Sequence, residues 1–241
     1  MTISLQTTIG ELASAIPHAA RVFEAHRIDY CCGGRRNLGD ACAKVGVNPT
    51  TVIAELEAPA RDVGEQIDWR EAPLATLAQH ILDVHHTFMW QELPRIEQLM
   101  KKVARVHGEA HPELLEMEPV VLGMVDELNM HLLKEERVLF PYIQALAVAT
   151  GPVSGPFGTV LHPISMMNAE HEDAGEALET IHRLSNQLRA PEDACGSYRA
   201  LYAALAAVEL DLHQHIHLES NVLFPRALEL EQILNSSSAR G

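Results

Sequence analysis

Through most of the chain apolar residues recur three and four positions apart, the rhythm of helices that bury one face, while alternating β-branched runs are scarce. The pattern predicts an all-α protein. Four long stretches carry it, approximately Leu74 to Val106, Glu118 to Ala147, Pro163 to Leu188 and Asp193 to Glu231. They are joined by "HGEAHPELLEM", the Gly/Pro-rich "TGPVSGPFGTVLH" and "RAPE". Connections of this modest length suit an up-down four-helix bundle.

Residues 8–57 hold shorter helical pieces. "TIGE" at Thr8 to Glu11 reads as a capping box, and "NPTTVIAELE" offers Asn48 as N-cap with Pro49 in the first helical position. Between such pieces sits the loop "DYCCGGRR". Residues 58–73 are charged and proline-flanked, as linkers are. The expected organisation is a small helical domain at 1–57, a linker at 58–73, the bundle at 74–231 and a flexible tail at 232–241.

Two of the long stretches share a frame. Leu128, His131, Glu135, Val138, Leu139, Phe140 and Pro141 return 84 positions later as Leu212, His215, Glu219, Val222, Leu223, Phe224 and Pro225. Four residues of α-helix turn about 400° and rise about 6 Å, so each His and Glu project from one face. Such pairs alone mean little, since a random arrangement of this composition supplies about one or two of them. The weight lies in the duplicated context and in the phase. Positions 128, 131, 132, 135, 138 and 139, and their counterparts, follow the core-facing period, which turns both pairs inward. The Phe-Pro endings mark either a kink or a stop.

Composition adds to this. Fourteen histidines nearly match the 18 basic residues, which makes metal the first question, because imidazole is a common ligand. A buried ionised Glu without a partner costs several kcal/mol, whereas a divalent cation supplies the opposing charge. A formal charge of −15 argues against nucleic-acid partners. No apolar run approaches a membrane span and no signal segment opens the chain, so the expectation is a soluble cytoplasmic protein with no membrane partner. Cys31, Cys32, Cys42 and Cys195 then read as thiols, with Cys42 buried on a short helix.

The first and third stretches offer further donors, "DVHHTFMW" with His85 and His86, and "NAEHEDAGE" with Glu170 and His171. His171 shares a stripe with Met167, Ala174, Leu178, Ile181 and Leu188 and so faces inward. Periodicity does not choose between His85 and His86. Such imidazole-rich ligation suits iron, copper, nickel or zinc. Six converging donors with two potential carboxylate bridges favour a dinuclear site over the four-ligand site typical of structural zinc. His213 and His217 are about 200° from His215 and are expected at the surface.

"DYCCGG", "HLLKEERVLFP", "AEHEDAGE" and "HIHLESNVLFP" together resemble the di-iron iron-sulfur cluster repair family, hemerythrin-like proteins of bacteria under nitrosative and oxidative stress. The similarity spans about Thr8 to Pro225. Oxygen-carrying hemerythrins are similar in plan but end in His-x-x-x-x-Asp, where this chain has His215-x-x-x-Glu219. The resemblance implies a hemerythrin-like bundle whose iron ligands are His86, His131, Glu135, His171, His215 and Glu219, with both carboxylates bridging two iron ions alongside a bridging oxygen species. It sets Glu170 close to the centre, as a support for a ligand or a transient ligand. Cys31 and Cys32 become candidate redox or docking thiols, with packing of the small domain as the alternative. The chain departs from the family in its longer loop at Gly151 to Gly158 and in the extra histidines His85, His162, His213 and His217, which leaves open whether His85 or His162 joins the site.

What the resemblance implies functionally is a stress-response protein that supplies iron to damaged iron-sulfur proteins or to cluster-assembly components. Nitric oxide is the other candidate ligand, bound or reduced at the same centre, which is the enzymatic alternative. Reversible dioxygen binding and a metal-free helical interaction module are weaker alternatives. A homodimer is compatible with the chain.

Overall fold

A computed structural model describes residues 3–16, 18–31, 33–58 and 67–238, and among them only helices and two isolated β-bridges occur. Half of the expected linker, residues 59–66, falls outside the described residues, as does Cys32. Four short helices come first: α1 (Ile9–Ala15), α2 (Ala19–Ala25), α3 (Leu38–Val45) and α4 (Pro49–Glu57). Thr8 and Glu11 form the capping box that opens α1, and Asn48 caps α4 ahead of Pro49. Ile9, Leu12, Phe23, Ile28, Leu38 and Val52 are buried together as a core.

The long helices follow, and three of them contain a five-residue π-turn. The first runs as α5 (Leu74–Ile81), a π-turn at Leu82–His86 and α6 (Thr87–His107). The second runs as α7 (Glu113–Lys134), a π-turn at Glu135–Leu139 and α8 (Phe140–Val148). The third, α9 (Leu161–Leu184), is unbroken, and the fourth runs as α10 (Gly196–Leu218), a π-turn at Glu219–Leu223 and α11 (Phe224–Ser238). The fold is all-α, a set of short N-terminal helices followed by four long ones.

Three boundaries differ from the sequence reading by four residues or more. The second long helix starts at Glu113, five residues early, and Pro119 lies inside it. The third stops at Leu184, because Asn186, Gln187 and Leu188 have positive φ; Leu188 therefore leaves the inward stripe. The fourth continues to Ser238, past Glu231. The Phe-Pro pairs end nothing: Pro141 and Pro225 are the second residues of α8 and α11, each directly after a π-turn.

The chain divides into two compact units, 80–142 with 162–212, and 1–79 with 143–161 and 213–241. In the first, α6 and α7 pair across a short connection. Met89, Leu93 and Ile96 of α6, Leu114, Val121 and Leu128 of α7, and Leu201, Leu205 and Val208 of α10 are all buried. In the second, α1 packs on the π-turn Glu219–Leu223. There Arg226 donates to the Trp69 carbonyl at 2.8 Å, and the buried Glu231 carboxylate accepts from the Thr159 hydroxyl and the Val160 amide.

Candidate metal centre

Each π-turn holds at least one of the donors expected from the sequence. His86 ends the first, Glu135 opens the second and Glu219 opens the third. In the second and third the amides of Phe140 and Phe224 bond back five residues, to the carbonyls of Glu135 and Glu219. Such widened turns concentrate at functional sites, since an extra residue re-aims the side chains around it.

The six expected donors are all buried, with Glu135 and Glu219 at 0% exposure. One carboxylate oxygen, Glu135 Oε2, stands 3.4 Å from His86 Nε2 and 3.3 Å from His131 Nε2. His171 Nε2 is 3.2 Å from His131 Nε2. On the fourth long helix His215 Nε2 lies 2.8 Å from Glu219 Oε1. The donor atoms form two overlapping groups, His86, Glu135, His215 and Glu219, and His131, Glu135, His171 and Glu219, each with its atoms within 4.8 Å of one another. Both groups contain both carboxylates.

Behind the imidazoles stand acceptors that set their tautomers. His131 Nδ1 donates to Glu170 Oε2 at 2.9 Å, and Lys134 donates to the other oxygen of Glu170. Burial pushes the Glu170 carboxyl up, but hydrogen bonds from His131 and Lys134 outweigh it and leave the group below its ordinary value. His86 Nδ1 donates to Glu136 Oε1 at 3.0 Å, and the same oxygen accepts from Trp90 Nε1 at 2.7 Å. A neutral imidazole that donates from Nδ1 keeps its lone pair on Nε2. Lone pairs of His86 and His131 thus converge with carboxylate oxygens, a donor set that fits divalent cations.

Other expected positions resolve differently. His85 is buried but points elsewhere, with Nδ1 3.0 Å from Asp211 Oδ1. His162 is exposed. Neither belongs to a donor group. Cys31 is buried, its thiol donating to Asp29 Oδ1 at 3.1 Å; it too joins neither group, and Cys42 is fully buried. His213 and His217 are not surface residues: His213 is half-buried and His217 is 8% exposed, and both rings meet Tyr30 edge-on. The helix face opposite His215 is covered by a segment nearly two hundred positions away in sequence. Burial depresses the His217 pKa to about 4.

Glu136, Trp90 and Asp211 were missed in the sequence. Glu136 follows a donor directly, as Glu170 precedes one, and that adjacency was the available signal.

Residues 77–227 match the family described as hemerythrin HHE cation binding domain, and residues 5–60 match a domain of unknown function (DUF542). The iron-sulfur cluster repair protein YtfE of Pectobacterium atrosepticum is 39% identical over 224 residues, covering 93% of this chain and 97% of that protein. The proteins of the same name from Musicola paradisiaca, 38% identical over 94% of this chain and 98% of theirs, and Yersinia pseudotuberculosis, 36% identical over 93% and 97%, align comparably. With such identity held over nearly its whole length, on a fold and a buried His/Glu cluster of this kind, the chain belongs to the family of YtfE iron-sulfur cluster repair proteins.

Proposed function

We propose that the chain holds two iron ions in the buried His/Glu cluster and donates iron to iron-sulfur proteins whose clusters have been damaged by nitrosative or oxidative stress. The observation that carries the reading is the double membership of Glu135 and Glu219, the only residues common to both donor groups. His86 and His215 would hold one iron and His131 and His171 the other, with Glu135 and Glu219 shared between the two donor groups. Bound there, iron supplies Lewis acidity and one-electron chemistry.

This chain's residues favour holding over trapping. Four imidazoles and two carboxylates give the centre fewer anionic ligands than the carboxylate-rich di-iron bundles, which use four Glu and two His. Thiolates of an acceptor are softer and more strongly donating toward iron. Glu136 and Glu170 keep the Nε2 lone pairs aimed inward, and the apolar helix faces exclude water. The relatives are named iron-sulfur cluster repair proteins, which agrees with an acceptor of this class.

The test is transfer from the iron-loaded protein to an aconitase-type enzyme whose cluster has been damaged by nitric oxide. Restoration above that given by an equal dose of free ferrous iron is expected, and restoration no greater than free iron contradicts the proposal. Six side chains for two irons also leave coordination positions for a small ligand. Nitric oxide binding is therefore the second reading, checked by anaerobic stopped-flow spectra; unchanged spectra refute it.

A further inference from the structure

The helix bearing His215 and Glu219 carries a second pair of the same spacing on another face. The Asn221 amide donates to His217 Nδ1 at 3.0 Å and to the Tyr30 carbonyl oxygen at 3.4 Å. Its Oδ1 lies against bare backbone: a Cβ added to Gly10 or to Gly34 would come within 2.6 or 2.7 Å of it, nearer than side-chain carbons approach. Those two glycines are joined by a Gly10 amide to Gly34 carbonyl bond of 2.9 Å. The Tyr30 ring meets the His217 ring edge-on at 5.5 Å. Asn221 is the third residue of the π-turn whose first residue is Glu219. Tyr30 and Gly34, on either side of the two cysteines, and Gly10 thus grip the turn that presents a buried carboxylate.

We propose that Asn221 is a positioning residue through which the Cys-Cys-Gly-Gly loop sets how fast metal leaves the His/Glu cluster, an inference that rests on the iron-holding reading above. A π-turn holds one residue more than the α-turn it replaces, so side-chain contacts must keep its register. Anchoring the Asn221 amide on Tyr30 and seating its oxygen against Gly10 and Gly34 supplies such contacts. Glu219 then keeps its aim, and because it belongs to both donor groups, loosening it loosens both. A partner that engages the loop reaches the metal through this one side chain.

The experiment loads the full-length protein anaerobically with ferrous iron and mixes it with an excess of a ferrous-selective chelator, far below the melting transition. Asn221→Ala is expected to bind as much iron as wild type, with the same ligand-field spectrum, and to release it roughly five- to tenfold faster, the worth of about one net hydrogen bond. A merely structural contact would lower the melting temperature and leave release from the folded protein unchanged. Should Asn221→Ala fail to fold, Gly34→Ala, which crowds the same contact from the loop, carries the same expectation. Unchanged release from a folded, iron-loaded variant overturns the proposal. Absence of iron from the wild-type protein overturns instead the reading on which it rests.

Discussion

Two imidazoles of the cluster, His86 and His131, are aimed by carboxylates that belong to neither donor group, and this is where single substitutions discriminate best. Glu136→Gln and Glu170→Gln each remove the anionic acceptor at an Nδ1 and are expected to lower metal affinity by about ten- to a hundred-fold, measured by chelator competition. His86→Ala is expected to lose iron, whereas His85→Ala keeps the wild-type iron content, since His85 bonds to Asp211 instead. Equal losses in the two would contradict the assignment. Away from the cluster, Cys195 is exposed, and hydrogen bonds from the Tyr198 amide and from His107, 3.1 Å from the sulfur, bring its pKa down to about 7. A lowered thiol pKa means thiolate at lower pH, so alkylation of Cys195 should rise through about pH 7 and level off above it. His107→Ala should move that midpoint upward, while Cys42, buried with its thiol pushed up, should stay unreactive in the native protein. Single residues were legible to different depths. His131 and His215 announced themselves through their shared frame, but Glu136 reads locally as one more acid on a polar flank. Its role exists only because another helix brings His86 and Trp90 to it.

At the scale of the helix, the π-turns explain what the repeated sequence left undecided. A proline in an ordinary helix interior costs about 3 kcal/mol, because its ring meets the carbonyl four residues back and one amide is lost. Here each Phe-Pro follows a widened turn, and both helices continue beyond it. Pro141→Ala and Pro225→Ala are therefore expected to change stability by less than about 1 kcal/mol, read from urea midpoints, because the turn already accommodates the ring. A gain near 3 kcal/mol would show that the turns do not. The π-turns were not readable beforehand, since one extra residue in a single turn hardly alters a three-and-four rhythm. Helix existence, by contrast, was plain from that rhythm, and the caps of α1 and α4 from their residues. His217 shows the other limit. Periodicity placed it correctly, away from His215, but what covers that face is Tyr30, and no local pattern announces a distant partner.

For the molecule as a whole, a formal charge of −15 and the absence, among the described residues, of any helix long and apolar enough to cross a membrane leave the buried cluster as the chemistry to account for. Ligand that binds only the folded state stabilises it by RT ln(1 + [L]/Kd), about 2.7 kcal/mol at a hundred times Kd. Stripping the metal should therefore lower the melting temperature, and reloading with ferrous iron should restore it; a melting temperature indifferent to iron would contradict a metal held by wholly buried Glu135 and Glu219. Acid should weaken binding as well, because the imidazoles must be neutral to ligate. The most direct test of the di-iron account is the iron-to-protein ratio of chain expressed in iron-replete medium, for wild type and for His131→Ala and His215→Ala. About two irons per wild-type chain, falling sharply in both variants, is the predicted result, and a wild-type chain without iron, or variants that keep it all, would contradict the account.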